Sequence, residues 1–362
     1  MTYTDSEVGA MTIVSDITFT ISYILEVPEV TITSSNSNPV VGDNVVLTAS
    51  VSNTAEGTTY SYEWSDGSTG ESITVSSSGA YTVEVTVSYE DQTEAGTASV
   101  TLTFGPNMTT DEDGSTITVT ETPDGSVTTT VERTDGSITE TTESIIEGME
   151  TETVVETPAD SSVSQTITTT ISVTDNSQVT ETMVQQAINK INESTDSTDA
   201  EKILAFESGI GESVSVPTSS LDEISSAGIS LSLTSSDVSV TFSPITLDSI
   251  SQQAEGVPEA TSIVTIAEDV SGTLNPSQSS TVGDATVYDV SAFLVDENDE
   301  VVMQVSRLGD MTPVTIPYEL PEGVSPEDVV VYYMDDYGNL TARETVYSEG
   351  KVTFWTEHFS YY

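Results

Sequence analysis

A period of two governs this chain. Apolar residues recur at alternate positions in short runs. Val45, Leu47, Ala49 and Val51 alternate with polar neighbours. So do Tyr60, Tyr62 and Trp64, then Tyr81, Val83, Val85 and Val87, then Ala98, Val100, Leu102 and Phe104. Successive side chains of a strand point to opposite faces, so each run puts its apolar set on one face. Turn residues separate the runs: Asn38-Pro39, Val41-Gly42-Asp43, Asp66-Gly67-Ser68, Ser78-Gly79 and Glu94-Ala95-Gly96. Short strands at this spacing predict a β-sandwich over 28–105.

The stretch Tyr62-Glu63-Trp64-Ser65-Asp66-Gly67-Ser68, followed by Gly79-Ala80-Tyr81-Thr82-Val83-Glu84-Val85, resembles the PKD and immunoglobulin-like modules of secreted and cell-surface proteins. The shared pattern is a Trp strand, a D-G turn and a G-x-Y-x-V-x-V strand, over about 80 residues. It departs at Ser65, where those modules often carry an aromatic residue followed by Gly. The resemblance implies a core Trp64, a corner Tyr81 and a spacer or binding surface.

Residues 106–178 repeat. Asp113-Gly114-Ser115, Asp124-Gly125-Ser126 and Asp135-Gly136-Ser137 recur every 11 residues, with Thr-rich runs between them. Thr is β-branched and favours extended backbone. The spacing predicts a meander of hairpins. A three-residue loop of Pro123, Asp124 and Gly125, with Gly left-handed in a G1 bulge, keeps Ile117, Val119, Val127 and Val131 on one face. So few apolar side chains bury little, so the array should lean on a neighbour or act as a stalk. A disordered, mucin-like linker is the alternative reading.

The remaining segments follow the same rhythm with one exception. Residues 1–27 carry Ile13, Ile17, Phe19, Ile21 and Tyr23 on one strand face. That strand pairs within the molecule or, if exposed, with a neighbouring one. Val179, Met183, Val184, Ala187, Ile188 and Ile191 have helical spacing and predict one short packing helix, capped at Thr180 or Ser177. Residues 200–362 read as β-rich, with a hairpin turn at Asp336-Tyr337-Gly338-Asn339. Ile316-Pro317-Tyr318-Glu319-Leu320-Pro321, Val330-Val331-Tyr332-Tyr333 and the ending Val352-Thr353-Phe354-Trp355-Thr356-Glu357-His358-Phe359-Ser360-Tyr361 are similar to a C-terminal β module. That module occurs in large surface-layer and adhesin-like proteins of archaea and Gram-positive bacteria, as do Thr-rich D-G repeats. The expected architecture is thus mainly β: an N-terminal strand segment (1–27), an immunoglobulin-like β-sandwich (28–105), a hairpin repeat region (106–178) and a C-terminal β-rich domain with one short helix (179–362).

Charge excludes several functions. Asp and Glu number 60 against 6 Lys and Arg, for a net charge of −54. Such a surface repels phosphate backbones and anionic bilayers, so nucleic acid is not an expected partner. Zero Cys removes disulfides and thiol chemistry. The single His358 lies among Phe354, Trp355, Phe359 and Tyr361 and reads as a core residue; the other reading, a general base beside Glu357, has no nucleophile set by position. Nothing marks two carboxylates as buried, as a glycosidase pair requires. No run of 18 apolar residues exists, so direct membrane insertion is not expected. The first ten residues lack a signal-peptide pattern, so an exported chain would be a mature form or fragment.

Three kinds of site remain. Acid-rich loops at Asp111–Gly114 and Asp296–Glu300 suggest Ca2+, with Asp111, Asp113, Asp296 and Asp299 as ligands; solvated acidic turns are the alternative. Sequons at Asn107, Asn192 and Asn339 suit N-glycosylation. Aromatics at Tyr60, Tyr62 and Trp64, or Tyr332, Tyr333 and Tyr337, would stack on sugars if they face outward. The expected function is a non-enzymatic extracellular or cell-surface structural protein: a surface-layer, adhesin-like or filament component. Its expected partners are copies of itself or other surface proteins, and glycans if it is a carbohydrate-binding adhesin domain.

Overall fold

A computed structural model describes residues 24–52, 57–122, 125–174, 178–195, 197–209, 213–235, 238–321 and 323–362. The strand expected over 1–27 lies outside the described residues up to position 23. Residues 24–27 carry no regular structure. The protein is mainly β and divides into two compact units.

The first unit comprises 1–107 and 119–125. Its strands are β1 (Glu29–Ser34), β2 (Val45–Ser52), β3 (Thr59–Trp64), β4 (Ser72–Val75), β5 (Gly79–Tyr89) and β6 (Gln92–Leu102). They form two antiparallel sheets, β1-β2-β4 and β3-β5-β6. The alternating residues of both sheets meet in one core: Val45, Leu47, Ala49, Trp64, Val83 and Val85 are buried together. This is the β-sandwich. Trp64 is 2% exposed and its indole N–H donates to the carbonyl of Gly70 at 2.8 Å, which satisfies its one polar atom. The Tyr81 hydroxyl donates to the carbonyl of Ser77 at 2.7 Å, fixing the corner before β5. At Gly96 a Cβ would overlap the carbonyl of Pro28, so only glycine lets the chain entering β1 approach β6 this closely.

The chain passes between units through β7 (Asn107–Thr110) and β8 (Thr116–Glu121). The second unit comprises 108–118 and 126–362. Its hairpin strands are β9 (Val127–Glu132), β10 (Ile138–Ile146), β11 (Met149–Thr157) and β12 (Thr166–Val173). Helix α1 (Glu181–Glu193) leads to β13 (Glu201–Ser208). Then come β14 (Ser215–Pro217), α2 (Leu221–Ser226), β15 (Ser230–Ser235), β16 (Val238–Phe242) and α3 (Pro244–Glu255). They are followed by β17 (Ser262–Asp269), α4 (Pro276–Val282), β18 (Tyr288–Val295), β19 (Val301–Gln304) and β20 (Thr312–Pro317). The last strands are β21 (Tyr332–Met334), β22 (Leu340–Ala342), β23 (Thr345–Ser348) and β24 (Lys351–Thr356).

Within this unit one sheet runs β23-β24-β20-β16-β15-β13-β12-β11-β10-β9. Strands β9 to β12 therefore share a sheet with strands that follow them. Most neighbours are antiparallel, but β12, β13 and β15 are parallel. Parallel neighbours need a crossover, and α1 supplies the one between β12 and β13. A second sheet, β14-β17-β18-β19, belongs to the same unit. Register carries one face through the large sheet: Val155 opposes Ile167, Leu204 opposes Leu231, Leu231 opposes Phe242, and Val314 opposes Phe354. All of these lie in one core with Met183, Ile188 and Leu294. The opposite face carries half-buried hydroxyls; Thr315 and Thr353 share a hydrogen bond there at 2.8 Å.

The expectation of one helix is corrected: among the described residues there are four short helices. Thr180 caps α1, accepting from the Met183 N–H. Ile245, Leu247 and Ile250 fit the β-rich reading, yet they lie in α3, where Ser243 caps the first turn and Pro244 takes its first position. A Pro there has no N–H to lose and its φ is already helical. Asn275 and Gln278 form a reciprocal capping box on α4.

Candidate functional site

The acid-rich loops are turn machinery. In the hairpin after β9, the Gly136 N–H donates to the Arg133 carbonyl at 2.9 Å, and the Arg133 N–H to that of Ser137 at 2.9 Å. Gly136 has φ +91°. This is the three-residue loop with a left-handed glycine. Pro123 and Asp124, on which that loop was argued, lie outside the described residues; Gly125 has φ +87° and donates to Thr122 at 2.9 Å. The same bonding recurs at Asp111–Ser115, Asp296–Glu300 and Asp335–Asn339. In each, the first Asp accepts two backbone N–H groups of its own turn. Asp111 takes those of Asp113 and Ser115; Asp296 takes Asn298 and Glu300; Asp335 takes Tyr337 and Asn339.

At Asp296 and Asp335 these bonds favour the ionised form. The Glu300 and Asn298 N–H groups hold the Asp296 carboxyl below the usual carboxylate range. The Asn339 side chain and backbone do the same for Asp335. Of the other proposed Ca2+ ligands, Asp113 sits exposed in its loop and Asp299 takes the left-handed position, with φ +59°. Among the described residues no three His, Cys, Asp or Glu side chains form a group able to hold a metal ion.

The sequons fall in different settings. Asn107 is half-buried and its amide donates to the Val41 carbonyl at 3.0 Å. Asn192 is exposed and accepts from Lys202 at 2.8 Å. Asn339 is exposed and its amide donates to Asp335 at 2.8 Å.

The aromatic residues sort by face. Along β3 the side chains leave the core in steps: Trp64 is buried, Tyr62 half-buried and Tyr60 42% exposed. Tyr332 and Tyr333 face opposite ways. Tyr333 packs inward against His358, with ring centroids 4.8 Å apart, and the Arg343 guanidinium lies over its ring at 5.2 Å. Arg343 Nη2 is 3.3 Å from His358 Nε2. Tyr362 completes this cluster. Its hydroxyl bonds Thr356 and the His358 carbonyl, and its backbone pairs with Tyr288. Burial raises the Tyr362 phenol's pKa. His358 thus sits in a clasp that ties the chain end to both sheets.

Tyr332 faces the other way, 45% exposed, and opens onto a cleft of about 740 Å³ in the second unit. The cleft floor is apolar and buried: Val287, Ile316, Val331, Met334 and Val352. Its walls are Tyr288, Tyr318, Tyr332, Val324, Val330 and Leu340. Its rim carries Asp284, Glu319 and Asp328. Among the described residues no Lys, Arg or His lines it. Sequence reading named Tyr332 for stacking but passed over Val330, Tyr318 and the rim acids. The signal was present in the run Val329-Val330-Val331-Tyr332-Tyr333, because five successive large apolar residues cannot all turn inward on a strand.

No helix among the described residues is long and apolar enough to cross a membrane. No protein-family model matches the chain, and no curated protein sequence matches it. A solved structure reported as "Structural basis for the promiscuous specificity of the carbohydrate-binding modules from the beta-sandwich super family" aligns with 37% of this chain and 60% of its own length. The identity is 21% and the TM-score 0.19, a likeness too distant to equate any residue of the two.

Proposed function

We propose that this chain is a non-enzymatic structural module of an extracellular or cell-surface protein, one that spaces and assembles. Supporting this is the way hairpins β9 to β11 extend a cored sheet. The β10–β11 ladder runs from Ile138↔Thr157 to Ile146↔Met149 without a break; the Thr residues of β10 are half-buried, and Thr151 and Thr153 of β11 are buried. Backbone pairing and local turns build such an extension; no enclosed site is needed. A surface-layer, adhesin-like or filament component is the specific form of this reading, and the anionic surface keeps it solvated. Electron microscopy of the purified protein tests it. Ordered polymers or arrays support the reading; a monomer at every concentration and salt, or turnover of a defined small molecule, would count against it.

A carbohydrate-binding adhesin domain is the second reading. The outward Tyr318 and Tyr332 beside acidic rim residues favour it, and binding on a glycan array is its test.

A further inference from the structure

We infer that the cleft beneath Tyr332 binds a basic, apolar peptide segment of a partner protein, one bearing Lys or Arg beside aliphatic or aromatic side chains. This goes beyond the spacer reading, which is judged by morphology and stands or falls separately. Two features of the cleft select the ligand. The first is its floor. Ile316, Val331, Met334 and Val352 are apolar, and burying apolar surface there favours a ligand with an apolar body. The second is its rim. Asp284, Glu319 and Asp328 carry negative charge with no cation among the lining residues, so the cleft's field repels anionic segments and draws cationic ones.

The walls join the two features. A Lys or Arg lays its aliphatic stem along apolar surface and keeps its charge in water. Tyr318 and Tyr332 stand 37% and 45% exposed, so their ring faces can meet such a cation as well. A second copy of this chain is a poor occupant: with only 6 cations in 362 residues, it has few basic segments to offer.

The test uses the full chain and a capped Lys-Leu-Lys-Leu-Lys-Leu peptide, with a Glu-Leu counterpart, chitohexaose and cellohexaose as competing probes. Calorimetric titration is run on the wild type, on Glu319→Lys/Asp328→Lys, and on the equally charged control Glu152→Lys/Glu156→Lys on β11. The expected result is binding of the Lys-Leu peptide alone, weakened at least 10-fold by the rim pair and less than 2-fold by the control. Equal weakening in both variants would show non-specific attraction to a polyanion and overturn the proposal. No binding overturns it too, and so does binding of either oligosaccharide in preference to the peptide. Photo-crosslinking with a photo-leucine version of the peptide on the unaltered chain gives an independent readout. Adducts are expected within 281–288 or 316–334, or at Leu340 or Val352, and adducts elsewhere reject the site.

Discussion

Strands β9 to β11 and strands β12 to β16 belong to one sheet, yet they are held in place differently. On the core-facing side of the central strands, Ile167, Leu204, Phe206, Leu231 and Phe242 are fully buried. Along β9 and the start of β10 the matching positions are Thr128, Ile138 and Thr142, all half-buried, and burial returns only at Ile146 and, on β11, at Thr151, Thr153 and Val155. Thr128 and Thr142 pair through their hydroxyls at 2.9 Å. The centre is stabilised by apolar area removed from water. The hairpins rest on backbone ladders, cross-strand Thr pairs and turns that fold locally. A sheet can thus extend past its core for as long as each added hairpin carries its own turn.

The comparison can be broken at its strong end. Phe206→Ala should cost the second unit about 3–5 kcal/mol in denaturant unfolding, because the cavity forms where neighbours cannot collapse. A loss of under 1 kcal/mol would mean that this core is not the main support. The junction comes next. Thr153 and Thr169 are buried and share a hydrogen bond at 2.9 Å. Thr153→Val leaves the Thr169 hydroxyl unpaired and should cost about 1–3 kcal/mol; adding Thr169→Val should restore much of it. If the double variant is no better than the single, the hydroxyl pairing is not the cause.

Smaller effects belong to the hairpins. Val131→Ala removes a half-buried side chain and should change stability by less than about 1 kcal/mol. A larger loss would show that something covers that face. The smallest effect is a pH dependence. Asp335 titrates below its ordinary range in the folded protein, so its contribution is present above the unfolded value of about 3.9 and is lost as pH falls through the lower folded value. The thermal midpoint of wild type minus that of Asp335→Asn should therefore shrink as pH falls from 5 towards 2. The difference matters here, since acid also relieves self-repulsion among 60 carboxylates in both proteins. A difference that stays flat with pH would remove the turn bonds as its cause.

Much of this was legible in the residues. Period-two runs gave the sandwich faces, with Trp64 in the core and Tyr81 at the corner, because side-chain direction along a strand depends only on parity. Asp-Gly spacing gave the turn type, because a left-handed φ at Gly136 is a local requirement. Helices α2, α3 and α4 escaped notice because they are short and their apolar spacing resembles a strand's. Ser243-Pro244 and Asn275-Pro276 were the available start signals. The cleft was illegible for a different reason: Val287, Tyr318 and Val352 are far apart along the chain, and nothing in any one segment says that they meet.

By itself the sequence determined what lies within a few bonds: strand faces, hairpin loops, helix caps and a surface that repels anions. Tertiary structure decided which strand lies beside which. The parallel set β12-β13-β15, the clasp of Tyr362 on Tyr288 and the acid-rimmed cleft all depend on chain segments brought together from a distance. Local energetics are silent there, because many pairings satisfy the same backbone groups and only the packing of side chains from distant segments chooses among them.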